Sequence, residues 1–486
     1  MEATIIQKND TPTSGQFYFV YSGELGKGSF VEYENNGKVI GRVSEVFRLN
    51  EYFENAENVS ESAEDLKEKF PVDEWEVRIA RAEIMGKFKD SMIKRVSSSP
   101  SPGREIDDAD PERVEKFLGL DENGLNLGAV QQQSIDASVN MTDTLQKHFA
   151  ILAQSGAGKS YTTSVMLEEI LDREYAPAIL AVDPHGDYTC FAEDENYMQD
   201  VKVFNEKDIQ IAVNSLSAGQ IASFFTGNFS GAQRQELAKV FSALNRGENN
   251  DFSLEDVITR VESEEMNEKT KYALLRKLNQ LKAMKIFGKS NRPSSKDLEL
   301  GKLNILDLSS MIDNQKKQII TAFFGKYFFR KRRTGSIPPF LYLLEEAHNF
   351  APEKTPSASK HVVEKMAREG RKFNASIGLI SQRPVKLSTT ALSQCNTKVI
   401  LRVTNPNDLD HIKTSSEGIT SSVASQIPGL KTGEAIVMGE AVNYPTFVDV
   451  RERRSKESDS GEGLEDTLKE WKEEQEQIDE DVEAFM

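Results

Sequence analysis

The run His148-Phe-Ala-Ile-Leu-Ala-Gln-Ser-Gly-Ala-Gly-Lys-Ser160 restricts the fold of this chain more than any other segment. An apolar strand pattern passes into a glycine-rich turn, and the turn opens a helical pattern over Tyr161 to Leu171. That succession marks a phosphate-binding loop, because glycines let several backbone N–H groups converge on one anion at a helix N-terminus. Gly156 and Gly158 supply the backbone freedom, Lys159 the charge for the outer phosphate oxygens, and Ser160 a hydroxyl for Mg²⁺. Ser155, Ala157 and Tyr161 complete the expected contact set. The first glycine of the usual pattern is Ala153 here, so the start of the loop is expected to hold a conformation that a Cβ tolerates.

An ATPase needs a second strand that ends in carboxylates, one set for the metal shell and one to polarise water. Phe340-Leu-Tyr-Leu-Leu-Glu-Glu-Ala-His348 has this form. Glu345 is assigned to the metal shell, Glu346 to the catalytic carboxylate and His348 to an orienting role. A third strand, Ala178-Ile-Leu-Ala-Val-Asp-Pro-His-Gly-Asp-Tyr188, ends at Asp183, either a further metal-shell group with Asp187 nearby or the anchor of a turn with Gly186. ATP and Mg²⁺ are the cofactors these residues call for. Downstream, Ala367-Arg-Glu-Gly-Arg-Lys372 and Ser381-Gln-Arg-Pro384 offer cations and an amide. Arg371 is the candidate arginine finger for a neighbouring subunit and Gln382 the candidate sensor of the γ-phosphate. A solvated helix end accounts for Arg368, Arg371 and Lys372 as well.

These motifs sit in a chain of 486 residues, long enough for two or three domains. Short β-type runs between residues 16 and 92, such as Gln16-Phe-Tyr-Phe-Val-Tyr-Ser22 and Trp75-Glu-Val-Arg-Ile-Ala-Arg81, predict a small β-barrel within residues 1–140. Strands alternating with helices follow in residues 141–452, the mark of a parallel α/β sheet. A helical insertion is expected at about 206–300, where Ser217 reads as a helix cap. The remainder, 453–486, is a charged tail. Leu464, Leu468, Trp471, Gln475, Ile478, Val482 and Phe485 form one helical stripe there, suited to its own subunit, a neighbour or a partner. No run approaches the roughly 20 apolar residues of a membrane span, and the N-terminus lacks the basic start and apolar stretch of a signal peptide. The expected location is the cytoplasm, without a membrane partner. Cys190 and Cys395 suggest neither a disulfide framework nor a thiolate metal site. A net charge of −18 argues against a broad nucleic-acid-binding surface but allows contact through a few loops lining a pore.

Taken in order, the motifs resemble the HerA family of archaeal and bacterial DNA translocases, relatives of FtsK in the RecA-like class. Carrying the resemblance are Gly37-Lys-Val-Ile-Gly-Arg-Val-Ser-Glu-Val-Phe47, Gln154-Ser-Gly-Ala-Gly-Lys-Ser160, Asp183-Pro-His-Gly-Asp-Tyr188, Glu345-Glu-Ala-His348, Arg368-Glu-Gly-Arg-Lys372, Ser381-Gln-Arg-Pro384 and Ile427-Pro-Gly-Leu-Lys-Thr-Gly-Glu-Ala435. The resemblance implies an α/β fold, a RecA-like P-loop ATPase core with a helical insertion behind a HAS-barrel-like domain. It also implies a homo-hexamer around double-stranded DNA that works with a NurA-like nuclease in DNA end processing, or with another effector. Lys354 and Lys360, in the loop after the acidic strand, are then candidate DNA contacts, though exposed lysines in a polar loop need no function. The competing reading is an ATP-gated ring scaffold that switches a nuclease or antiviral effector without processive travel. Ala153, and Glu345 where the family often has Asp, depart from its pattern.

Overall fold

The computed structural model describes residues 2–7, 12–50, 76–89, 92–226, 229–246, 252–416, 418–457, 468–469 and 471–472. Two compact units emerge, one of residues 1–162, 381–385 and 392–452, the other of 163–380, 386–391 and 453–486.

The first unit begins with β1 (Ala3–Ile6), β2 (Gln16–Tyr21), β3 (Phe30–Glu34), β4 (Lys38–Leu49), β5 (Val77–Lys89), β6 (Met92–Lys94) and β7 (Glu105–Asp108). The order β2-β1-β7-β3-β4-β5 returns on itself through an antiparallel β2–β5 pairing, so six strands close a barrel and β6 extends β5. Alternation drives this closure: in β2, Phe17, Phe19 and Tyr21 face inward, and Tyr33 meets the Phe17 ring edge-on at 5.4 Å. Register shifts in the β4–β5 ladder at Ile40/Gly41 and Val43/Glu45 provide the bending that closure demands.

The later strands are β8 (Leu125–Val130), β9 (Asp136–Val139), β10 (Phe149–Leu152), β11 (Ala178–Asp183), β12 (Val201–Phe204), β13 (Ile211–Ala212), β14 (Phe287–Gly288), β15 (Leu303–Asp307), β16 (Phe340–Leu344), β17 (Ala375–Ser381), β18 (Thr397–Ile400), β19 (Glu434–Gly439) and β20 (Thr446–Val450). In the first unit their order is β10-β18-β19-β20-β8-β9. The barrel is therefore complete at Asp108, and residues 125–139 join the other sheet through β20 instead of closing the barrel up to residue 140. Alternating apolar residues identify a strand but carry no information about its partner, which is why the sequence placed them with the barrel.

In the second unit β12-β15-β11-β16-β17 are all parallel. Every residue of β11, β16 and β17 is buried, as a sheet covered on both faces requires. Among the described residues, four helices, Ala218–Ser223, Gly231–Leu244, Leu254–Ser263 and Glu268–Ala283, lie between β13 and β14. Ser217 caps the first of them in a reciprocal box with Gln220. A short strap, Arg453 to Lys456, lies against the helix Lys159–Leu171: the fully buried Glu168 carboxylate accepts from the Arg454 and Ser455 amides and the Ser455 hydroxyl at 2.7–2.9 Å. Arg454 adds ion pairs to Glu169 and Asp172. Of the tail stripe only Leu468 and Trp471 are described, both exposed; its other members, like Trp75, lie outside the described residues. Among the described residues no helix is long and apolar enough to cross a membrane.

Gly128, with φ +143°, sits where a Cβ would come within 2.0 Å of the Asp449 carbonyl oxygen. Gly128→Ala should destabilise the protein by more than about 1 kcal/mol, read as a lower midpoint in denaturant melts.

Candidate active site

One set of candidate residues lies in the first unit. Ala153 prolongs β10, its N–H donating to the Ser381 carbonyl at 3.2 Å, with its methyl buried and its φ outside the left-handed region. The absent first glycine is thus accommodated because the chain is still extended there. The Gln154 amide donates to the Arg402 carbonyl at 2.9 Å, and the Gln154 side-chain oxygen accepts from the Thr404 amide and hydroxyl. These bonds fasten the base of the loop to the segment after β18. Gly156 and Gly158 then adopt φ of +74° and +91°, which side chains resist. Nothing lies within 4 Å of a Cβ placed on Gly156. Lys159, nearly buried, starts the helix, and the Thr162 hydroxyl donates to the Gly158 carbonyl at 2.9 Å. Ser155 is exposed, Ala157 buried, Ser160 and Tyr161 half-buried. A glycine-shaped cradle at a helix N-terminus beside a lysine fits a polyphosphate. Gln382, half-buried, follows β17 directly.

A second set lies in the second unit, at the carboxyl ends of the adjacent strands β11 and β16. Asp183 is fully buried, and its oxygens accept the backbone N–H groups of His185, Gly186 and Tyr188 at 2.8–3.2 Å. That is the geometry of the turn anchor, with Gly186 at φ +80° allowing the reversal. Burial pushes the Asp183 carboxyl upward, opposed by those three donors. Glu345, also fully buried, accepts a 2.5 Å hydrogen bond from the Tyr188 hydroxyl. Burial drives the Tyr188 phenol well above its usual range, so it remains a donor.

Glu346 occupies the left-handed region at φ 49°, ψ 46°, a costly conformation for a residue with a Cβ and one that concentrates at functional sites. It turns the chain sharply out of β16, and its carboxylate lies 3.1 Å from His348 Nδ1. From the helix Asn314–Arg333, Lys317 donates to the Pro184 carbonyl and Gln318 to the Asn349 carbonyl, tying down both strand-end loops. Burial depresses the Lys317 ammonium, offset by Asp307 and Asp183.

Arg371 is exposed in the turn Gly370–Phe373 after the helix Lys360–Glu369, without a side-chain hydrogen bond or ion pair among the described residues. Lys354 is exposed too. Lys360 is otherwise employed: its ammonium donates to the Glu353 carbonyl at 2.7 Å. The Glu353 carboxylate in turn accepts from the Thr389 amide and hydroxyl, so the loop after β16 is stitched to residues 386–391. Sequence reading passed over Tyr188, Lys317 and Glu353. A tyrosine directly after the strand-end Gly186-Asp187 pair was the available signal for the first; long-range pairings left none for the others.

Among the described residues no cluster of three or more His, Cys, Asp or Glu forms a metal cage. Mg²⁺ is ordinarily held by one or two protein oxygens together with substrate phosphates; the Ser160 hydroxyl is an oxygen of that kind in the first unit, and the buried strand-end carboxylates are in the second.

A phosphate cradle, a parallel sheet whose strands end in buried carboxylates, and a closed barrel ahead of both define a P-loop ATPase of the RecA-like class. The family profile described as "Helicase HerA, central domain" matches residues 125–327, and the "HAS barrel domain" profile matches residues 10–90. The chain is thus similar to HerA helicases along most of its length. It is 26% identical to the DNA double-strand break repair helicase HerA of Pyrococcus furiosus over 94% of each chain. A probable helicase of Methanocaldococcus jannaschii is 28% identical, over 74% of this chain and 73% of that one. Among solved structures, VirB4 of Thermoanaerobacter pseudethanolicus superposes with a TM-score of 0.56 at 15% identity, covering 69% of this chain and 98% of that one. The plasmid coupling protein TrwB in complex with a non-hydrolysable ATP analogue reaches 0.50 at 13% identity, covering 72% and 95%. Both likenesses show the fold.

Ala153→Gly should leave nucleotide affinity and ATPase rate within about twofold while costing roughly 0.5–1 kcal/mol of stability, because glycine only adds freedom to an extended position. Nucleotide titration and thermal melts check both parts.

Proposed function

We propose that the chain is the ATP-hydrolysing subunit of a DNA helicase or translocase that acts on double-stranded DNA in the repair of double-strand breaks. It works as a homo-hexamer in the cytoplasm beside a NurA-like nuclease or a comparable effector. The observation that carries this reading is Glu346, held in a left-handed conformation at the end of β16 with its carboxylate against His348. A carboxylate fixed by backbone and neighbour suits a base that orients water for attack on a phosphoryl group.

In this reading the loop from Ser155 to Tyr161 binds the phosphates of ATP, and Lys159 neutralises charge that builds on them. Ser160 and Glu345 are the residues that would hold Mg²⁺. When bound, the ion supplies electrostatic stabilisation of the phosphate oxygens. Asp183 acts at the same edge by shaping the loop that carries Tyr188. Arg371, exposed and unpaired among the described residues, suits a finger reaching a neighbouring subunit, and Gln382 the sensing of the γ-phosphate. Lys354 is the stronger DNA-contact candidate, since the Lys360 ammonium already serves the Glu353 carbonyl. We retain the division into a barrel, an ATPase core with its helical insertion, and a charged tail.

ATPase rate with and without linear duplex DNA, measured alongside mass in solution, tests the proposal. A hexamer whose hydrolysis rises with DNA supports the motor. Glu346→Gln should reduce hydrolysis by about 10²–10⁴-fold, the range for losing a general base, while nucleotide still binds. Arg371→Ala should cost on the order of 10³-fold, as for loss of an arginine finger. Hydrolysis that ignores DNA and responds only to a nuclease would replace the motor with an ATP-gated ring scaffold.

A further inference from the structure

Tyr188 has no part in the scheme above, yet three elements of the second unit meet on it. It is fully buried at the end of the turn that leaves β11. Its backbone N–H donates to Asp183 Oδ2 at 2.9 Å, its hydroxyl donates to Glu345 Oε2 at 2.5 Å, and the Thr163 side chain hydrogen-bonds the same hydroxyl. Thr163 belongs to the helix Lys159–Leu171, Asp183 ends β11, and Glu345 follows β16. The turn itself is held from outside, because the Lys317 ammonium donates to the Pro184 carbonyl at 3.2 Å. Tyr188 has little freedom to move away from Glu345.

We infer that Tyr188 is a positioning residue for ATP hydrolysis: it fixes the rotamer of Glu345 and, through Thr163, sets that carboxylate in register with the helix that begins at the phosphate loop. This inference rests on the proposed role of Glu345 in holding Mg²⁺. A rigid phenol suits the task, since it spans the gap with two side-chain torsions and a single donor. A carboxylate with a neutral donor on one oxygen keeps its other oxygen aimed, and donors of this kind behind a metal ligand are worth about 10–100-fold in metal affinity or activity.

The test compares the full-length protein with Tyr188→Phe, which keeps the ring and removes only the hydroxyl, and with Thr163→Val and Thr163→Ser. Binding of a fluorescent ATP analogue is titrated in EDTA and against Mg²⁺, and steady-state hydrolysis is measured in parallel. Tyr188→Phe should bind the analogue in EDTA within about twofold of the parent, shift the Mg²⁺ half-saturation point upward about tenfold, and lower kcat with little change in KM. Thr163→Val should move the same readouts in the same direction by less, and Thr163→Ser, which restores a hydroxyl, should return them towards the parent. A merely structural tyrosine would lower the melting temperature and leave the Mg²⁺ half-point and kcat unchanged; that result overturns the inference. If Glu346→Gln hydrolyses ATP as fast as the parent, the reading of the whole site falls, whereas an inactive Glu346→Gln beside a silent Tyr188→Phe removes the role of Tyr188 alone.

Discussion

Burying a carboxylate costs free energy unless donors replace its water, and the strand ends of the second unit bury Asp183, Glu345 and Glu346 together. Each meets the requirement in its own way. Asp183 takes backbone amides, Glu345 a phenol, and Glu346 lies against an imidazole. The loop geometry around them follows from this need. The turn from Pro184 to Tyr188 curls back because amides must reach Asp183, and the curl delivers the phenol to Glu345. A strand edge built in this way is rigid before any ligand arrives, and electrostatic catalysis depends on such preorganisation.

How much of this could be read from the sequence depended on how local each cause was. The phosphate loop, the helix behind it and the apolar strands ending at Asp183 and Glu345 stand within a few residues of the groups that make them, so they were legible. Ser217 was legible as a cap for the same reason, since a capping box closes within three residues. Partner choice was not. Leu125–Val130 alternates as well as any barrel strand, and only pairing with Thr446–Val450 decides its sheet. Lys360 looked free because its acceptor, the Glu353 carbonyl, is a backbone atom whose direction no side-chain pattern reveals. Asp183 admitted two readings, and the three amides that converge on it make the turn visible.

Charge gives a second instance of local accounting. The chain is strongly acidic, and five of its carboxylates are engaged by one short segment. Glu168, Glu169 and Asp172 receive Arg454, Asp194 receives the Lys456 amide, and Glu193 its ammonium. These contacts bind residues 453–456 both to the helix that opens with Lys159 and to the turn Thr189–Glu193. The first residues of the charged tail therefore brace the helix that opens with Lys159.

The closed barrel restricts how its part of the chain can associate. Six of its strands pair on both sides, and closure removes the unsatisfied backbone groups through which sheets add foreign strands. Among the described residues, the one lateral edge left is β6, three residues long, with Met92 and Lys94 exposed on it. An edge of that length templates almost nothing. Among the described residues, contacts of the barrel are therefore left to side chains on its faces and loops, where sequence can change without unravelling the fold, so one architecture can keep varied company.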